Sequence, residues 1–376
     1  MNKIPLTRPF FDEKEINEIR NVLDSGWVAG QGPENKKLEE EFSKYIDVNY
    51  SVCCSNCTAA LHLSLIALGI KKDDEVIVPD YTFPATAHAV LYCGAVPIFV
   101  DINEKTYNID VALIESKITK KTKAIIPVHT FGQCADMDII LKIAKKHNLK
   151  VIEDAACAVG SEYKGKKAGS IGDIGCFSFH ARKNITSGEG GIITSNNKEL
   201  IDSIRSLSCF GMESAFARDK KFKIPKFTRL GYNYKLSDIA AAVAIIQLRR
   251  SEEYIGKRNK LAEYYNQKLK ELKSVTIPFV EKHNKHVFQS YIVLLDKKIN
   301  RNDIISKLNE RGIQTQIGTY ALHEQPIYKN LTNCDEKEFP NTTFVYNQSL
   351  ALPLYYEMKL DDIDKVVLAL KEVLHE

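Results

Sequence analysis

One lysine in the chain stands where a reactive amine could do chemistry. Lys183 lies in the run FHARKNITSGEGG, between an apolar strand-like segment (residues 174–179) and a glycine-rich turn that leads into the next strand. A lysine amine is a nucleophile only when it is neutral, so it must be activated by desolvation or by neighbouring positive charge. Arg182 and His180 lie close in sequence and could supply that charge. A solvated turn lysine is the alternative when Lys183 is considered alone.

Two other strand ends carry groups that could bind a charged ligand. Asp154 ends the apolar run KVIED, and it is either a helix N-cap or a carboxylate that pairs with a cationic ring nitrogen. The run CCSNCTAALHL leads from a strand into a helix, where backbone N–H groups and the Thr58 hydroxyl could hold a phosphate. Cys57 also forms a C-x-x-C pair with Cys54, which leaves a redox role or half of a zinc site as alternatives.

An aromatic residue follows directly on another predicted strand. Phe83, in PDYTFPATA, is either a core side chain or a ring that stacks on a planar cofactor. In an open α/β sheet the carboxyl ends of the strands meet at one edge, where ligands bind. An acid for a ring nitrogen, a phosphate turn, a stacking ring and a lysine together favour a Schiff-base lysine in a pyridoxal phosphate site.

The elements that must position these groups alternate along the chain. Short strands rich in Val and Ile are spaced by amphipathic helices through the first two hundred residues, which predicts a mainly parallel sheet covered by helices on both faces. From Ser237 the pattern changes to one long predicted helix over residues 237–272, followed by a smaller α+β region. We therefore predict a large cofactor-binding domain over residues 1–248, with an N-terminal segment near the active site, and a small C-terminal domain over residues 249–376.

The composition excludes several classes of protein. The 376 residues carry 52 basic and 48 acidic side chains, and the net charge of +4 is spread without the clustering that nucleic-acid binding needs. No apolar run has the length of a membrane span, and the charged N-terminus does not resemble a signal peptide. Nine scattered cysteines fit reduced thiols in a cytoplasmic protein. We expect no metal, no nucleic-acid partner and no membrane partner.

A series of motifs extends over nearly the whole chain. In order these are DSGWVAGQGP, SNCTAALHLSL, DYTFPATAHAV, DINEKTYNID, IPVHTFGQCADMD, IEDAACAVGS, GDIGCFSFHARKNITSGEGG, GYNYKLSDIAAA and ALHEQPIY. The sequence thereby resembles the sugar aminotransferases of the DegT/DnrJ/EryC1/StrS family. The resemblance implies a fold-type I pyridoxal phosphate enzyme with a large α/β domain and a smaller α+β domain.

The resemblance also implies catalytic roles. Lys183 matches the lysine that binds the cofactor covalently and then carries the proton. Asp154 matches the acid on the pyridinium nitrogen, and Phe83 matches the ring that stacks on the cofactor. Members that deoxygenate sugars have histidine in place of the lysine, so Lys183 argues against that reaction.

Other matching positions would bind the cofactor phosphate. Cys57 and Thr58 fall in the phosphate turn, and Ser178 matches a serine that also reaches the phosphate. Asn233 matches an asparagine offered by the partner subunit, which implies a homodimer with shared sites. Many members have glutamine, contacting the ring hydroxyl, at the position of Cys157, whose thiol is a weaker hydrogen-bond partner.

The reaction implied by the resemblance has two halves. An amino acid, expected to be glutamate, gives up its amine, and a nucleotide-linked 4-keto or 3-keto hexose receives it. Tyr320 and His323 are candidates for substrate contact, with a structural histidine as the alternative. Two other functions are considered: transamination of a non-nucleotide ring ketone, such as a cyclitol or aminobenzoate precursor, and cofactor binding by a regulator without turnover.

Overall fold

The computed structural model describes residues 3–213, 224–329, 331 and 335–376. The strands are β1 (Tyr50–Cys54), β2 (Glu75–Pro79), β3 (Tyr81–Thr82), β4 (Val96–Val100), β5 (Thr122–Ile125), β6 (Lys150–Asp154), β7 (Glu162–Tyr163), β8 (Lys166–Lys167), β9 (Ile174–Ser178), β10 (Gly191–Ser195), β11 (Val275–Thr276), β12 (Asn284–Lys285), β13 (Tyr291–Leu295), β14 (Tyr320–Ala321) and β15 (Ser349–Leu352). The helices are α1 (Glu13–Ser25), α2 (Pro33–Ile46), α3 (Cys57–Ala67), α4 (Ala85–Tyr92), α5 (Val111–Ile114), α6 (Met137–His147), α7 (Lys198–Ser208), α8 (Asp238–Arg249), α9 (Ser251–Leu269), α10 (Arg301–Glu310), α11 (Pro326–Lys329), α12 (Pro340–Gln348) and α13 (Leu360–Leu374).

A large sheet forms the centre of the fold. Among the described residues it has seven strands, in the order β1-β10-β9-β6-β5-β2-β4. Only β10 runs against the others, since it is antiparallel to both β1 and β9. Successive strand residues point to opposite faces, so that Ile77 and Val151 enter one core while Val76 and Ile152 enter the other. The prediction of a mainly parallel sheet with helices on both faces is confirmed.

The C-terminal part contains a second core. Within the described residues, β11, β13 and β15 form a three-stranded antiparallel sheet. Helices α9, α10 and α13 contribute to the same apolar cluster, in which the rings of Tyr265 and Tyr291 stack at 4.7 Å. Ile4 joins this cluster and pairs with Ile313, so the N-terminal segment packs against the C-terminal part. The predicted α+β region is therefore present, and the boundary near residue 248 stays a prediction.

The long helix predicted from Ser237 is two helices. Ser237 does cap α8, its hydroxyl oxygen accepting the N–H of Ala240, but Arg250 leaves the helical conformation at φ −102° and ψ 2°. The change of direction lets α8 stay packed in the large core while α9 continues into the second one. The Arg250 guanidinium, which donates to Asp12 at 2.7 Å, holds the junction against the start of α1.

Two connections bring distant parts of the chain to the carboxyl edge of the central sheet. Strand β14 pairs with β3, which places Tyr320 opposite Thr82. Gly191 begins the reversed strand β10 at the same edge where β9 ends, because the two strands are antiparallel and Gly191 pairs with Ser178. No helix in the described ranges is long and apolar enough to cross a membrane.

Candidate active site

A cavity of about 500 Å³ opens at the carboxyl edge of the central sheet. Its lining includes seven of the ten site residues predicted from the sequence: Cys57, Thr58, Phe83, Asp154, Cys157, Ser178 and Lys183. Leu6 and Thr7 of the N-terminal segment also line it, as do Gln289 and Gln316 of the C-terminal part. Asn233, Tyr320 and His323 are not among the lining residues.

One end of the cavity is suited to an anion. Helix α3 begins at Cys57, and the Asn56 side chain caps the N–H of Ala59 at 2.8 Å. The first N–H groups of a helix have no acceptor within it, and the helix dipole favours negative charge there. A Cβ atom on Gly191 would lie 2.6 Å from the Asn56 carbonyl carbon, so only glycine lets β10 approach this turn. Ser178 adds a buried hydroxyl from the end of β9.

Asp154 is a buried carboxylate held by two hydrogen bonds. Its oxygens accept from the Thr86 hydroxyl at 2.8 Å and from the N–H of Ala156 at 3.2 Å. The residues that follow form turns and no helix, so the helix N-cap interpretation is wrong. Burial raises the pKa of Asp154, although both hydrogen bonds and the nearby Lys183 act in the opposite direction. A cation beside this carboxylate would remove the cost of its burial.

A second buried acid supports the strand that carries Asp154. Glu153 lies on the opposite face of β6, and it is fully buried with His129, whose Nε2 is 2.9 Å from a Glu153 oxygen. Backbone N–H groups of Gly169 and Ile171 also donate to this carboxylate. The N–H of His129 in turn donates to the Asp154 carbonyl at 3.0 Å. These bonds fix the end of β6 and the direction in which Asp154 points.

The amine of Lys183 faces sulfur and carboxylate groups. Its Nζ lies 3.1 Å from Cys157 Sγ. Burial alone would lower the pKa of Lys183, but the surrounding Cys157, Cys57 and Asp154 outweigh it, so the pKa is raised. In the chain by itself, these groups therefore favour the protonated amine.

The two cations beside Lys183 in sequence are directed elsewhere. The Arg182 guanidinium donates to Gln316, and the His180 ring faces Glu189 at 3.7 Å. Both side chains therefore have contacts other than Lys183.

Phe83 lies at the mouth of the cavity. Its side chain is 63% exposed, so it is not a core aromatic. The ring of Tyr320 meets it edge to face, with centroids 6.1 Å apart. A flat exposed ring at this place can stack on a planar group bound in the cavity.

His323 does not reach the cavity. It is buried, its Nδ1 lies 2.5 Å from an Asp80 oxygen, and its ring stacks on Phe339 at 4.8 Å. Its Nε2 lies 3.4 Å from the Thr343 hydroxyl, so both ring nitrogens have partners. The structural interpretation of His323 fits this arrangement, and the predicted substrate contact does not.

Asn233 is exposed on the surface of the chain, and its side chain accepts a hydrogen bond from Lys235. Three apolar side chains near it are also exposed: Phe210, Phe227 and Leu230. A role for Asn233 in this chain's own cavity is therefore not indicated, and the predicted contact with a partner subunit's cofactor stays a prediction.

The C-x-x-C pair has no sign of a metal or disulfide. Cys54 and Cys57 are both free thiols, and burial raises the pKa of Cys54 to about 12 and that of Cys57 well above its ordinary value. A thiol whose pKa is raised is a poor nucleophile. No group of three or more potential metal ligands occurs in the part of the chain that the structure describes.

Sequence reasoning missed several residues of the cavity. Thr86 holds Asp154, and Gln289 and Gln316 bind Arg182. Thr130 places in the lining a buried hydroxyl that has no hydrogen-bond partner among the described residues. Only Thr86 had a signal in the sequence, because it follows Phe83 by three residues at the start of α4. The others come from connections whose course the sequence pattern does not determine.

The residues present fit pyridoxal phosphate. The α3 turn and Ser178 suit its phosphate, the buried Asp154 suits its ring nitrogen, and exposed Phe83 suits its ring face. Lys183 lies in the same cavity, and its amine would be the group that binds the cofactor covalently. Fold and site thus define a fold-type I, pyridoxal phosphate-dependent aminotransferase.

Comparison with known proteins agrees with this class. The family model for the DegT/DnrJ/EryC1/StrS aminotransferase family matches residues 9–371. GDP-perosamine synthase of Caulobacter vibrioides is 40% identical over 375 residues, covering 99% of this chain and 98% of that protein. The PLP form of Spr1654 from Streptococcus pneumoniae superimposes with a TM-score of 0.92 at 30% identity, covering 99% of this chain and 98% of that one. Helicobacter pylori PseC, an aminotransferase of pseudoaminic acid biosynthesis, gives a TM-score of 0.92 at 26% identity, with 99% of both chains covered.

The chain belongs to the DegT/DnrJ/EryC1/StrS aminotransferase family. It is an enzyme, and its cofactor is pyridoxal phosphate. The regulator without turnover, considered from the sequence, is therefore set aside.

Proposed function

We propose that the enzyme transfers an amine from glutamate to a nucleotide-linked keto-hexose, in the biosynthesis of an amino sugar. The observation that supports this most directly is the cavity in which Lys183, Asp154 and Phe83 converge. The substrate class is supported by relatives that make amino sugars, among them GDP-perosamine synthase. We place the enzyme in the cytoplasm, where its free thiols would stay reduced.

Each residue has a defined task in this proposal. Asp154 keeps the ring nitrogen of the cofactor protonated, and Thr86 keeps Asp154 in position. When bound, pyridoxal phosphate supplies an electron-poor ring that draws off charge as the donor loses its Cα proton. Lys183 Nζ accepts that proton as general base and returns it as general acid. Cys57, Thr58 and Ser178 hold the phosphate.

Cys157 is expected to weaken one contact with the cofactor. Its thiol lies on the same side of the cavity as Lys183, at 3.1 Å from the amine, where a ring hydroxyl of the cofactor could meet it. A thiol is a weak hydrogen-bond donor, so the hydroxyl would be held less firmly than by an amide. We expect Cys157→Gln to bind the cofactor more tightly without changing the reaction.

We propose in addition that two chains form a dimer with shared sites. Leu230 is 85% exposed and Phe227 65%, and these apolar side chains lie near Asn233. Exposed apolar side chains grouped in this way mark interaction surfaces. Mixing inactive Lys183→Ala chains with inactive Asn233→Ala chains would restore a fraction of the sites if each chain completes its partner's site. Light scattering on the wild-type protein would measure the mass, and a monomer would exclude the idea.

The substrate proposal is tested with the purified enzyme and its cofactor. Glutamate is offered with nucleotide-linked 3-keto and 4-keto hexoses or with a cyclitol ketone, and 2-oxoglutarate is measured. We expect turnover with a nucleotide-linked ketone only. Turnover of the cyclitol alone would favour the non-nucleotide ring ketone. Lys183→Ala should lose both turnover and the visible absorbance band that glutamate bleaches in the wild type.

A further inference from the structure

Arg182 carries a positive charge that the known chemistry does not use. It is the one arginine among the described residues that line the active-site cavity, and its side chain is exposed. Its Nη1 donates to the neutral amide of Gln316 at 3.2 Å. Within the described residues no carboxylate lies within ion-pair distance of this guanidinium. A guanidinium in a cavity without an acidic partner is suited to binding an anionic ligand.

The acids of the cavity are directed away from Arg182. Asp154 accepts hydrogen bonds from Thr86 and Ala156. Glu189 faces the His180 ring, with an oxygen 3.7 Å from Nε2. The charge on Arg182 is therefore left for a ligand rather than for the protein.

The position of Arg182 is fixed by its neighbours on both sides. Its backbone N–H donates to His180 Nδ1 at 3.2 Å, and its carbonyl accepts from Gln289 Nε2 at 2.8 Å. The Gln289 oxygen accepts in turn from the Ser290 hydroxyl at 3.1 Å. The backbone from which the guanidinium extends therefore does not have to be ordered when a ligand arrives.

The place of Arg182 in the chain indicates which anion it meets. Arg182 precedes Lys183 in the chain, and both residues line the same cavity. The donor amino acid must bring its Cα to the Lys183 amine, and its carboxylate is bonded to that same Cα. A diphosphate on a hexose is several bonds away from a keto carbon at C3 or C4. The proposed function assigns the cofactor phosphate to the α3 turn and Ser178, so the phosphate is not the anion left for Arg182.

We propose that Arg182 binds a carboxylate of the amino-acid donor and sets the enzyme's affinity for it. This inference rests on the proposed function, since it takes the donor to be an amino acid. In this inference the Arg182 guanidinium donates two parallel hydrogen bonds to the carboxylate. Gln316 positions the side chain by accepting a hydrogen bond from Nη1. Arg182 is then a specificity residue for the first half-reaction only.

The test follows the donor half-reaction alone. Holoenzyme is mixed with glutamate, glutamine or alanine without any ketone, and the change in cofactor absorbance gives the concentration of donor at half-saturation. Arg182→Gln should raise this concentration about 10- to 100-fold, because a charge-assisted bidentate contact is lost. Arg182→Lys should recover part of the affinity, since it keeps the charge without the fork. Arg311→Gln, which removes an exposed arginine that pairs with Glu372, is the matched control.

The outcomes distinguish the α-carboxylate of glutamate from its side-chain carboxylate, and they distinguish the donor from the ketone substrate. Equal losses with glutamate, glutamine and alanine mean that Arg182 holds the α-carboxylate, and a loss with glutamate alone means the side-chain carboxylate. An unchanged half-saturation concentration would overturn the inference. A rise in KM for the ketone alone, measured separately in the complete reaction, would overturn it as well. The half-reaction needs no ketone. The result can therefore be interpreted even if the proposed keto-sugar is not the acceptor. An unchanged cofactor band in the variants shows that they are folded and loaded.

Discussion

The hydrogen bond from Thr86 to Asp154 allows a quantitative prediction. Thr86 is buried, and its hydroxyl donates to Asp154 Oδ2 at 2.8 Å. Thr86→Val removes that donor with little change of shape. Burial already raises the pKa of Asp154, and the Thr86 bond acts against that effect. The variant should therefore make the carboxylate harder to ionise.

The size of the effect follows from the difference between two hydrogen bonds. A bond to a charged acceptor contributes about 1.5–3 kcal/mol and one to a neutral group about 0.5–1.5 kcal/mol. The ionised form of Asp154 thus loses about 1–1.5 kcal/mol more than the protonated form. At 1.36 kcal/mol per pKa unit, the pKa of Asp154 rises by about one unit. A cofactor ring that pairs with the ionised carboxylate should bind about tenfold more weakly.

The assay is a titration of cofactor-free protein with pyridoxal phosphate over a range of pH. The loss in affinity should be greatest below the raised pKa of the variant and should shrink as the pH rises, because both carboxylates are then ionised. Thr342→Val is the matched control, since the Thr342 hydroxyl is buried without a partner in the described residues. A loss below twofold at every pH, or the same loss in the control, would refute the reasoning.

Three further predictions concern the framework of the site. Gly191→Ala should weaken cofactor binding, because its Cβ would lie 2.6 Å from the Asn56 carbonyl carbon and 2.9 Å from the Cys57 nitrogen. Equilibrium dialysis measures the affinity for the cofactor. Gly256→Ala, which has open space around it, should leave that affinity unchanged. Glu153→Gln should lower the free energy of unfolding by about 3–5 kcal/mol, because the NH₂ group of the new amide would face buried N–H donors. Denaturant titration measures this loss, with the exposed Glu104→Gln as the control. Burial lowers the pKa of His286 to about 3, so its neutral form stabilises the fold above the unfolded pKa near 6.5, and that contribution falls as the pH drops towards 3. His286→Asn keeps an acceptor for the N–H of Phe288 but does not titrate. A plot of the free energy of unfolding against pH should therefore become less steep by about 1.4 kcal/mol per pH unit between pH 6 and 4. An unchanged slope would contradict the lowered pKa of His286.

The part of the site that the sequence could predict lies at strand ends. Asp154 ends β6, Ser178 ends β9, and Thr58 follows β1 in the first turn of α3. Each comes directly after an apolar run, and the strand ends of a parallel sheet meet at one edge. The position of each residue at the end of its own apolar run was therefore enough to predict that these groups lie close together.

The residues that sequence reasoning missed or misplaced lie on connections. Gln289 and Gln316 reach the cavity from segments without a periodic pattern, so nothing in the sequence indicated their direction. His323 belonged to a family motif, but the carboxylate of Asp80 holds it in the interior. The break at Arg250 was invisible because one non-helical residue hardly disturbs the apolar pattern of the two helices around it.

The same limit applies to the charge state of Lys183. From the sequence, Arg182 and His180 could supply activating charge because they are its neighbours, whereas the fold turns Lys183 towards Cys157, Cys57 and Asp154. Burial favours the neutral amine, whereas Cys157, Cys57 and, to a smaller extent, the negative charge of Asp154 work against it. A cation paired with Asp154 reduces that negative charge, so the balance at Lys183 shifts towards the neutral form. We therefore expect the ring nitrogen of the cofactor, through Asp154, to lower the pKa of the lysine that must react with it.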